Sequence, residues 1–128
     1  MTQHLSIDIE TYSDVDIGKA GLYKYSRSPN FEILLLAYSI DFGPVHIIDF
    51  TRGEKLPLSV AAALASPDVQ KHAYNAPFEI TCIAEAQKAK KPGGVILHPE
   101  QWRCTMMHGL YLGYPAGLAR VGDALGLA

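Results

Sequence analysis

The strongest constraint on the fold is a nearly continuous apolar run, Glu32–Ile40. Such a run is typical of a strand that is buried on both faces of a sheet. Gly43 and Pro44 end it, and a second apolar segment at residues 45–50 follows at the spacing of a hairpin. Residues 5–10 alternate apolar and polar side chains and predict an earlier strand. The chain therefore begins with three predicted strands in an antiparallel arrangement.

Helices and strands alternate in the rest of the chain. Residues 58–65 predict a helix, residues 68–74 a short strand, and residues 76–89 a longer helix with Asn75 as its N-cap. The last predicted elements are a strand at residues 95–97 or 101–104, a helix at residues 106–112 capped by Thr105, and an amphipathic helix through Leu118, Val121 and Leu125. This order of elements predicts an α/β domain with a mixed sheet.

Length, composition and charge narrow the class of protein. At 128 residues the chain has the ordinary size of one domain, which we expect to span residues 1–128. An apolar fraction of 48% with 19% charged residues is typical of a globular protein and excludes a disordered chain or a fibre. The formal net charge of −2 provides no overall basic field, so any nucleic acid must be bound through a local patch or through metal ions.

Two further features bear on the compartment. Cys82 and Cys104 lie in a predicted helix and a predicted strand without metal-ligand spacing, which favours two thiols in a reducing compartment and leaves a disulfide open. The first residues contain no basic stretch followed by a long apolar run, and the longest apolar runs are too short to cross a bilayer. We therefore expect a cytoplasmic protein that makes no contact with membranes.

Asp8 and Glu10 form the first candidate site. They stand two residues apart in the first predicted strand, so both side chains project from one face of the sheet. Two like charges held this close in a half-buried setting are costly unless a cation neutralises them, and hard cations such as Mg²⁺ or Mn²⁺ prefer oxygen ligands. The pair therefore suggests a divalent-metal site. The open alternative is an ordinary strand whose two carboxylates face water.

Glu79 is the second candidate. Ala76, Ile80, Ile83 and Ala86 form the apolar stripe of the predicted helix, and Glu79 lies in the same stripe. A carboxylate on the core-facing side of a helix needs a partner. The alternative is a first-turn Glu that is favoured by the helix dipole and points to solvent. A helix that follows a strand directly begins at the carboxyl end of the sheet, where sites in α/β proteins usually form.

Together these segments resemble the motifs of a known family. Residues 8–11, Asp-Ile-Glu-Thr, resemble the first motif of the DEDD-type 3′–5′ exonucleases, the proofreading nucleases of RNase H-like fold. Residues 74–79, Tyr-Asn-Ala-Pro-Phe-Glu, are similar to the second motif, where the acid is commonly Asp and phage-type domains have Glu. Residues 102–106 are similar to the next segment of family A DNA polymerases, where an Asp often stands at the Cys104 position. The resemblance implies an RNase H-like α/β fold in a proofreading domain of a phage-like or bacterial polymerase.

The resemblance also implies a site with two metal ions, Mg²⁺ or Mn²⁺. Ions about 4 Å apart would bridge the scissile phosphate, one activating the attacking water and the other stabilising the leaving 3′ oxygen. By resemblance, Asp8 is shared by both ions, Glu10 completes the tighter site, and Glu79 binds a metal directly or through water. These three acids are the expected catalytic and metal-ligating residues.

The implied partners are the single-stranded 3′ end of DNA and a polymerase domain in the parent chain. Thr11 and its backbone amide would position the terminal nucleotide. Asn75 either caps its helix or contacts the DNA, and Phe78 either packs in the core or supports a base.

The family's third motif, Tyr-x-x-x-Asp or His-x-x-x-Asp, has no match. Asp123 is the one acid after Glu100, and Ala119 stands four residues before it. Asp123 instead suits the solvent face of the last predicted helix. We therefore expect a domain truncated before the third motif, with weak or absent catalysis on its own. A non-catalytic nucleic-acid-binding module of the same fold stays open, as does a structural domain whose acids are merely solvated.

Overall fold

The structure is a computed structural model that describes residues 2–88 and 97–127. The strands in this part of the chain are β1 (Gln3–Tyr12), β2 (Glu32–Ile40), β3 (His46–Asp49), β4 (Val69–Ala73) and β5 (Trp102–Cys104). The α-helices are α1 (Ile17–Ala20), α2 (Leu22–Arg27), α3 (Leu58–Ala65), α4 (Ala76–Lys88), α5 (Thr105–Tyr111) and α6 (Leu118–Ala124). Short 3₁₀ turns cover Phe50–Arg52 and Pro99–Gln101. The predicted strand at residues 95–97 falls mostly outside the described residues, and the alternative at residues 101–104 coincides with β5.

The described strands form one mixed sheet in the order β3-β2-β1-β4-β5. Strand β2 pairs antiparallel with β1 and with β3, whereas β4 pairs parallel with β1 and with β5. This arrangement confirms the predicted mixed α/β architecture, with antiparallel strands first and alternating helices and strands afterwards.

The main core lies between one face of the sheet and helices α3 and α4. Leu5, Ile7 and Ile9 alternate along β1 and are buried on this face. They belong to one cluster of buried apolar side chains, to which α3 contributes Val60 and Leu64, and α4 contributes Cys82 and Ile83. The opposite face of β1 carries Asp8 and Glu10, which are exposed. Strand β1 therefore separates an apolar face from a polar one.

Strand β2 corrects the prediction of burial on both faces. Leu36, which pairs with Ile9 on the core face, is buried. Leu35 and Ala37 point to the other face and are only half-buried. The apolar run reflects a strand that is half-buried over most of its length, with Leu36 buried on the core face and Ser39 on the other.

Buried Lys71 lies on the core face of β4 without a carboxylate partner among the described residues. Its Nζ donates hydrogen bonds to the carbonyl oxygen of Ser66 at 2.6 Å and to Oε1 of Gln101 at 2.9 Å. Removal from water lowers the pKa of the Lys71 ammonium. Lys71 thus joins the end of helix α3 to the 3₁₀ turn before β5.

The C-terminal helices differ in detail from the predictions. Thr105 is the first residue of α5 and not its cap, since Cys104 occupies the N-cap position and makes no side-chain capping hydrogen bond. Helix α6 is present, but Leu118 and Leu125 are 63% and 53% exposed, so its apolar face does not pack as expected. No helix within residues 2–88 and 97–127 has the length and apolar character needed to cross a membrane.

Candidate functional site

The candidate site begins where β4 leaves the side of β1. The parallel pairing of β1 with β4 is last seen between Ser6 and His72, and β4 ends at Ala73. The chain then turns through residues 74 and 75 into helix α4. The edge of β1 beyond Ser6 therefore faces the first turn of α4 and not another strand.

Asp8 and Glu10 project together from β1, as predicted. Both are exposed, on the face opposite to Ile7 and Ile9. The β-ladder with β2 shifts register between Glu10 and Thr11, which marks a bulge of β2 at Leu34, opposite the carboxyl end of β1. Bulges re-aim side chains and are frequent beside active sites. The expectation of a half-buried setting for the two acids is wrong, since both side chains are exposed.

Glu79 is buried, as the core-facing interpretation predicted. Its side chain is 2% exposed, so the solvent-facing alternative is wrong. One carboxyl oxygen, Oε2, is buried without a hydrogen-bond partner among the described residues. The backbone N–H of Ile9 lies near enough to the carboxyl to affect its pKa. Glu79 therefore lies in the gap between α4 and the edge of β1.

The pKa of Glu79 shows how unfavourable its charge is in this place. The pKa is raised from the ordinary 4.5 to about 8, chiefly by burial and to a smaller extent by the nearby charge of Asp8, against the lowering effect of the backbone N–H groups of Glu79 and Ile9. The pKa of the neighbouring Cys82 thiol is raised to about 12, mainly by burial and then by Glu79. At neutral pH, Glu79 is therefore mostly protonated unless a cation lies beside it.

The donor set for a metal is incomplete. In residues 2–88 and 97–127, no three side chains of His, Cys, Asp or Glu come close enough together to hold a metal ion. Asp8 and Glu79 are near enough for their charges to interact, and Glu10 lies two residues further along β1 on the side of Asp8. The unpaired, buried Oε2 of Glu79 fits a cation ligand. The pair supplies part of a metal site and leaves the remaining ligands to water or to other groups.

Thr11 and Phe78 are joined by a residue that the sequence patterns did not single out, Tyr25 in α2. The Tyr25 hydroxyl forms a hydrogen bond with Oγ1 of Thr11 at 2.8 Å. Its ring lies 5.8 Å from that of Phe31 and 6.4 Å from that of Phe78, measured between centroids. Phe78 also packs against the core, as one of its two interpretations predicted. The sequence offered a weak signal, two tyrosines at positions 23 and 25 of one short helix, a spacing that places them on different sides of the helix.

Asn75 does not cap helix α4 through its side chain. Its backbone adopts φ +70°, a left-handed conformation that Asn tolerates better than most residues. The carbonyl oxygen of Asn75 accepts a hydrogen bond from the N–H of Phe78 at 3.0 Å. The exposed Asn75 side chain makes no hydrogen bond within the described part of the chain. The capping prediction is therefore wrong, because the turn out of β4 requires a conformation that an N-cap residue does not have.

A groove of about 260 Å³ lies next to Asp8, and its lining also includes Phe42, His72 and Tyr74. At the level of His72, Nε2 of that residue lies 2.9 Å from Nδ1 of His4. Phe42 stacks on both imidazoles, at 5.0 and 5.4 Å between ring centroids. No sequence spacing predicted this cluster, since the pairing of β1 with β4 brings together residues 68 positions apart.

Comparison with known proteins gives one strong sequence match. No family model matches the chain. Over 124 residues it is 52% identical to a DNA polymerase of Bacillus phage SP02, an alignment that covers 97% of this chain and 18% of that protein. The chain is homologous to part of a phage DNA polymerase. It spans less than a fifth of the length of the polymerase that it matches.

A solved structure supports the backbone arrangement. The chain matches, with a TM-score of 0.60, a chain in the structure of the yeast NOT1 MIF4G domain co-crystallized with CAF1. The match covers 98% of this chain and 69% of the other, at 13% sequence identity. At this identity the likeness concerns the fold alone. The narrower RNase H-like assignment stays a prediction beside the homology to the phage polymerase.

Proposed function

We propose that this chain is a metal-dependent 3′–5′ exonuclease domain of RNase H-like fold, associated with a DNA polymerase in a bacterial or phage-infected cytoplasm. The observation that carries the proposal is the buried carboxyl of Glu79, which has an unpaired oxygen and lies close to Asp8. A group with these properties is favoured in the ionised state only beside a cation. The homology to a phage DNA polymerase supports the binding of nucleic acid, and the resemblance of the two motifs suggests a 3′ end of single-stranded DNA as the substrate.

Each acid has a distinct part in this proposal. Asp8, exposed at the carboxyl end of β1, is accessible to a phosphate, and its charge interacts with that of Glu79, as expected of two ligands of one metal. Glu10, on the same face, extends the negative surface toward the bulge. Bound Mg²⁺ or Mn²⁺ would neutralise these carboxylates, lower the pKa of a water and offset charge on the phosphate. Thr11 and the exposed Asn75 would contact the terminal nucleotide, and Phe78 would hold the position of α4.

Activity of this chain alone is expected to be weak. The one acid after Glu100 is Asp123, which is exposed on α6 and belongs to no cluster of metal donors in the described residues. This incomplete donor set favours a second candidate function, a nucleic-acid-binding module without catalysis. The two candidates differ in turnover and in their response to a chelator.

Digestion of a 5′-labelled single-stranded oligonucleotide in Mn²⁺ tests the proposal. The expected result is a slow ladder of products shortened from the 3′ end, reduced at least about tenfold in Asp8→Asn because a ligand charge is lost. Asp68→Asn, which changes an exposed acid at the start of β4, serves as the matched control and should match the parent. Equal ladders from the parent and Asp8→Asn would contradict the assignment. Chelator-insensitive binding without any ladder would favour the second candidate.

A further inference from the structure

The carboxyl end of β1 is fastened to helix α2 at two points, and both involve Tyr25. The side-chain hydroxyl of Tyr25 bonds to Oγ1 of Thr11 at 2.8 Å, and its carbonyl oxygen accepts from Oγ of Ser13 at 2.8 Å. Ser13 Oγ in turn accepts from the backbone N–H of Val15 at 3.2 Å. The segment that follows the strand therefore takes its path from α2.

Thr11 needs such support because the β-ladder is irregular at this point. The register with β2 shifts between Glu10 and Thr11, so the regular pairing of Asp8 and Glu10 does not extend unbroken to Thr11. The unpaired residue of this bulge is Leu34 of β2, and the ladder is therefore loosened next to the pair of Thr11 with Ile33. The Tyr25 hydroxyl supplies a side-chain bond to Thr11 on the far side of this irregularity.

Tyr25 also contacts the helix that carries Glu79. Its ring lies 6.4 Å from the ring of Phe78, the residue before Glu79, and meets Phe31 edge-on at 67°. Phe31 and Phe78 both pack against the main core. The ring is thus held by the core while its hydroxyl reaches the end of β1, and one residue links the two elements that carry the proposed site.

We infer that Tyr25 is a positioning residue for the 3′-terminal nucleotide, acting by fixing the side chain and backbone of Thr11 relative to helix α4. The inference rests on the proposed function and adds to it the residue that holds Thr11 in place. Tyr25 is not a metal ligand, so its loss affects the placement of the nucleotide and leaves the response to metal intact.

Binding of a 5′-labelled oligothymidine of about eight nucleotides, with a 3′-terminal phosphorothioate linkage to slow hydrolysis, measures this effect in Mn²⁺. Tyr25→Phe removes the hydroxyl and keeps the ring, and should weaken binding about fivefold, the size expected for one hydrogen bond. The Mn²⁺-induced shift in unfolding temperature should not change. Tyr23→Phe is the matched control, because Tyr23 lies on the same helix and is 65% exposed.

A double-mutant cycle separates positioning from general packing. Thr11→Val should weaken binding at least as much as Tyr25→Phe, because Thr11 is also proposed to contact the nucleotide. The double variant should be no weaker than Thr11→Val, and Thr11→Ser, which keeps the hydroxyl, should bind like the parent. Parent-like binding by Tyr25→Phe, or additive losses in the double variant, would overturn the inference. Failure of the parent itself to bind the oligonucleotide would overturn the proposed function, and the role of Tyr25 with it. The two failures are therefore distinguishable.

Discussion

At the scale of single residues, the proposed metal site depends on the protonation state of Glu79. A buried carboxyl with an unpaired oxygen and an acidic neighbour is costly to ionise, and its pKa of about 8 records that cost. Natural proteins retain such groups where they have a task, and a raised pKa next to another carboxylate is a frequent mark of a functional site. The exposed surroundings of Asp8 and Glu10 alone would not indicate a functional site.

The first prediction concerns stability against pH without metal. Between pH 4.5, the ordinary pKa, and about 8, the unfolded chain loses the Glu79 proton while the folded chain keeps it, so stability should fall as pH rises. The rise in pKa corresponds to at most on the order of 5 kcal/mol. Glu79→Gln should remove most of this decline. Urea unfolding at several pH values in the presence of a chelator measures this decline in the free energy of unfolding.

The control for this prediction is Asp68→Asn, which removes an exposed acid and should keep the pH dependence of the parent. An unchanged decline in Glu79→Gln would show that other groups cause it, and that the Glu79 carboxyl is not buried in solution.

At the scale of elements, the junction of β4 and α4 decides where Glu79 lies. Asn75 turns the chain at φ +70° and α4 begins directly after it, so the first turn of α4 faces the edge of β1 that β4 has left. Asn is one of the few residues that adopt this conformation at low cost. The identity of residue 75 is therefore tied first to the turn, and its exposed side chain is available for a ligand.

Substitutions at position 75 test this. Asn75→Gly should keep the free energy of unfolding within about 0.5 kcal/mol of the parent, because Gly adopts positive φ freely. Asn75→Val should cost about 1–3 kcal/mol, because a β-branched side chain is strained in this region. Denaturant unfolding of both variants gives the comparison. Equal stability of Asn75→Val and the parent would contradict the left-handed turn.

The sequence patterns predict the bounds of the helices and strands better than they predict which side chains are buried and what those side chains contact. Helix α3 coincides with the predicted residues 58–65, since an alanine-rich stretch ended by a Ser-Pro pair allows few alternatives. The sequence does not reveal the left-handed conformation of Asn75, because Asn suits both an N-cap and a left-handed turn. It does not decide the burial of Glu79 either, because a stripe of apolar positions does not say which neighbouring element covers it. The bond of Thr11 to Tyr25 depends on how α2 folds back, which no local pattern records.

At the scale of the whole molecule, the sheet separates stability from function. Helices α3 and α4 bury the apolar face of β1, while Asp8 and Glu10 remain accessible on the other face, where Asp8 lines a groove of about 260 Å³. The proposed site lies at the carboxyl end of β1, where the two faces meet through Glu79. The described residues contain no complete set of metal donors. The buried carboxyl of Glu79 is nevertheless one that only a cation would stabilise in the ionised state.

We propose that Asp8 and Glu79 form the core of a divalent-metal site, and the unfolding temperature at pH 8 with and without Mn²⁺ tests this site directly. For the parent and Asp68→Asn, we predict a rise of about 5 °C when Mn²⁺ is at about ten times its Kd, since binding to the folded state alone is worth about 1.4 kcal/mol there. Asp8→Asn and Glu79→Gln should lose most of this rise. A parent without any shift, or a Glu79→Gln variant with the full shift, would contradict the claim.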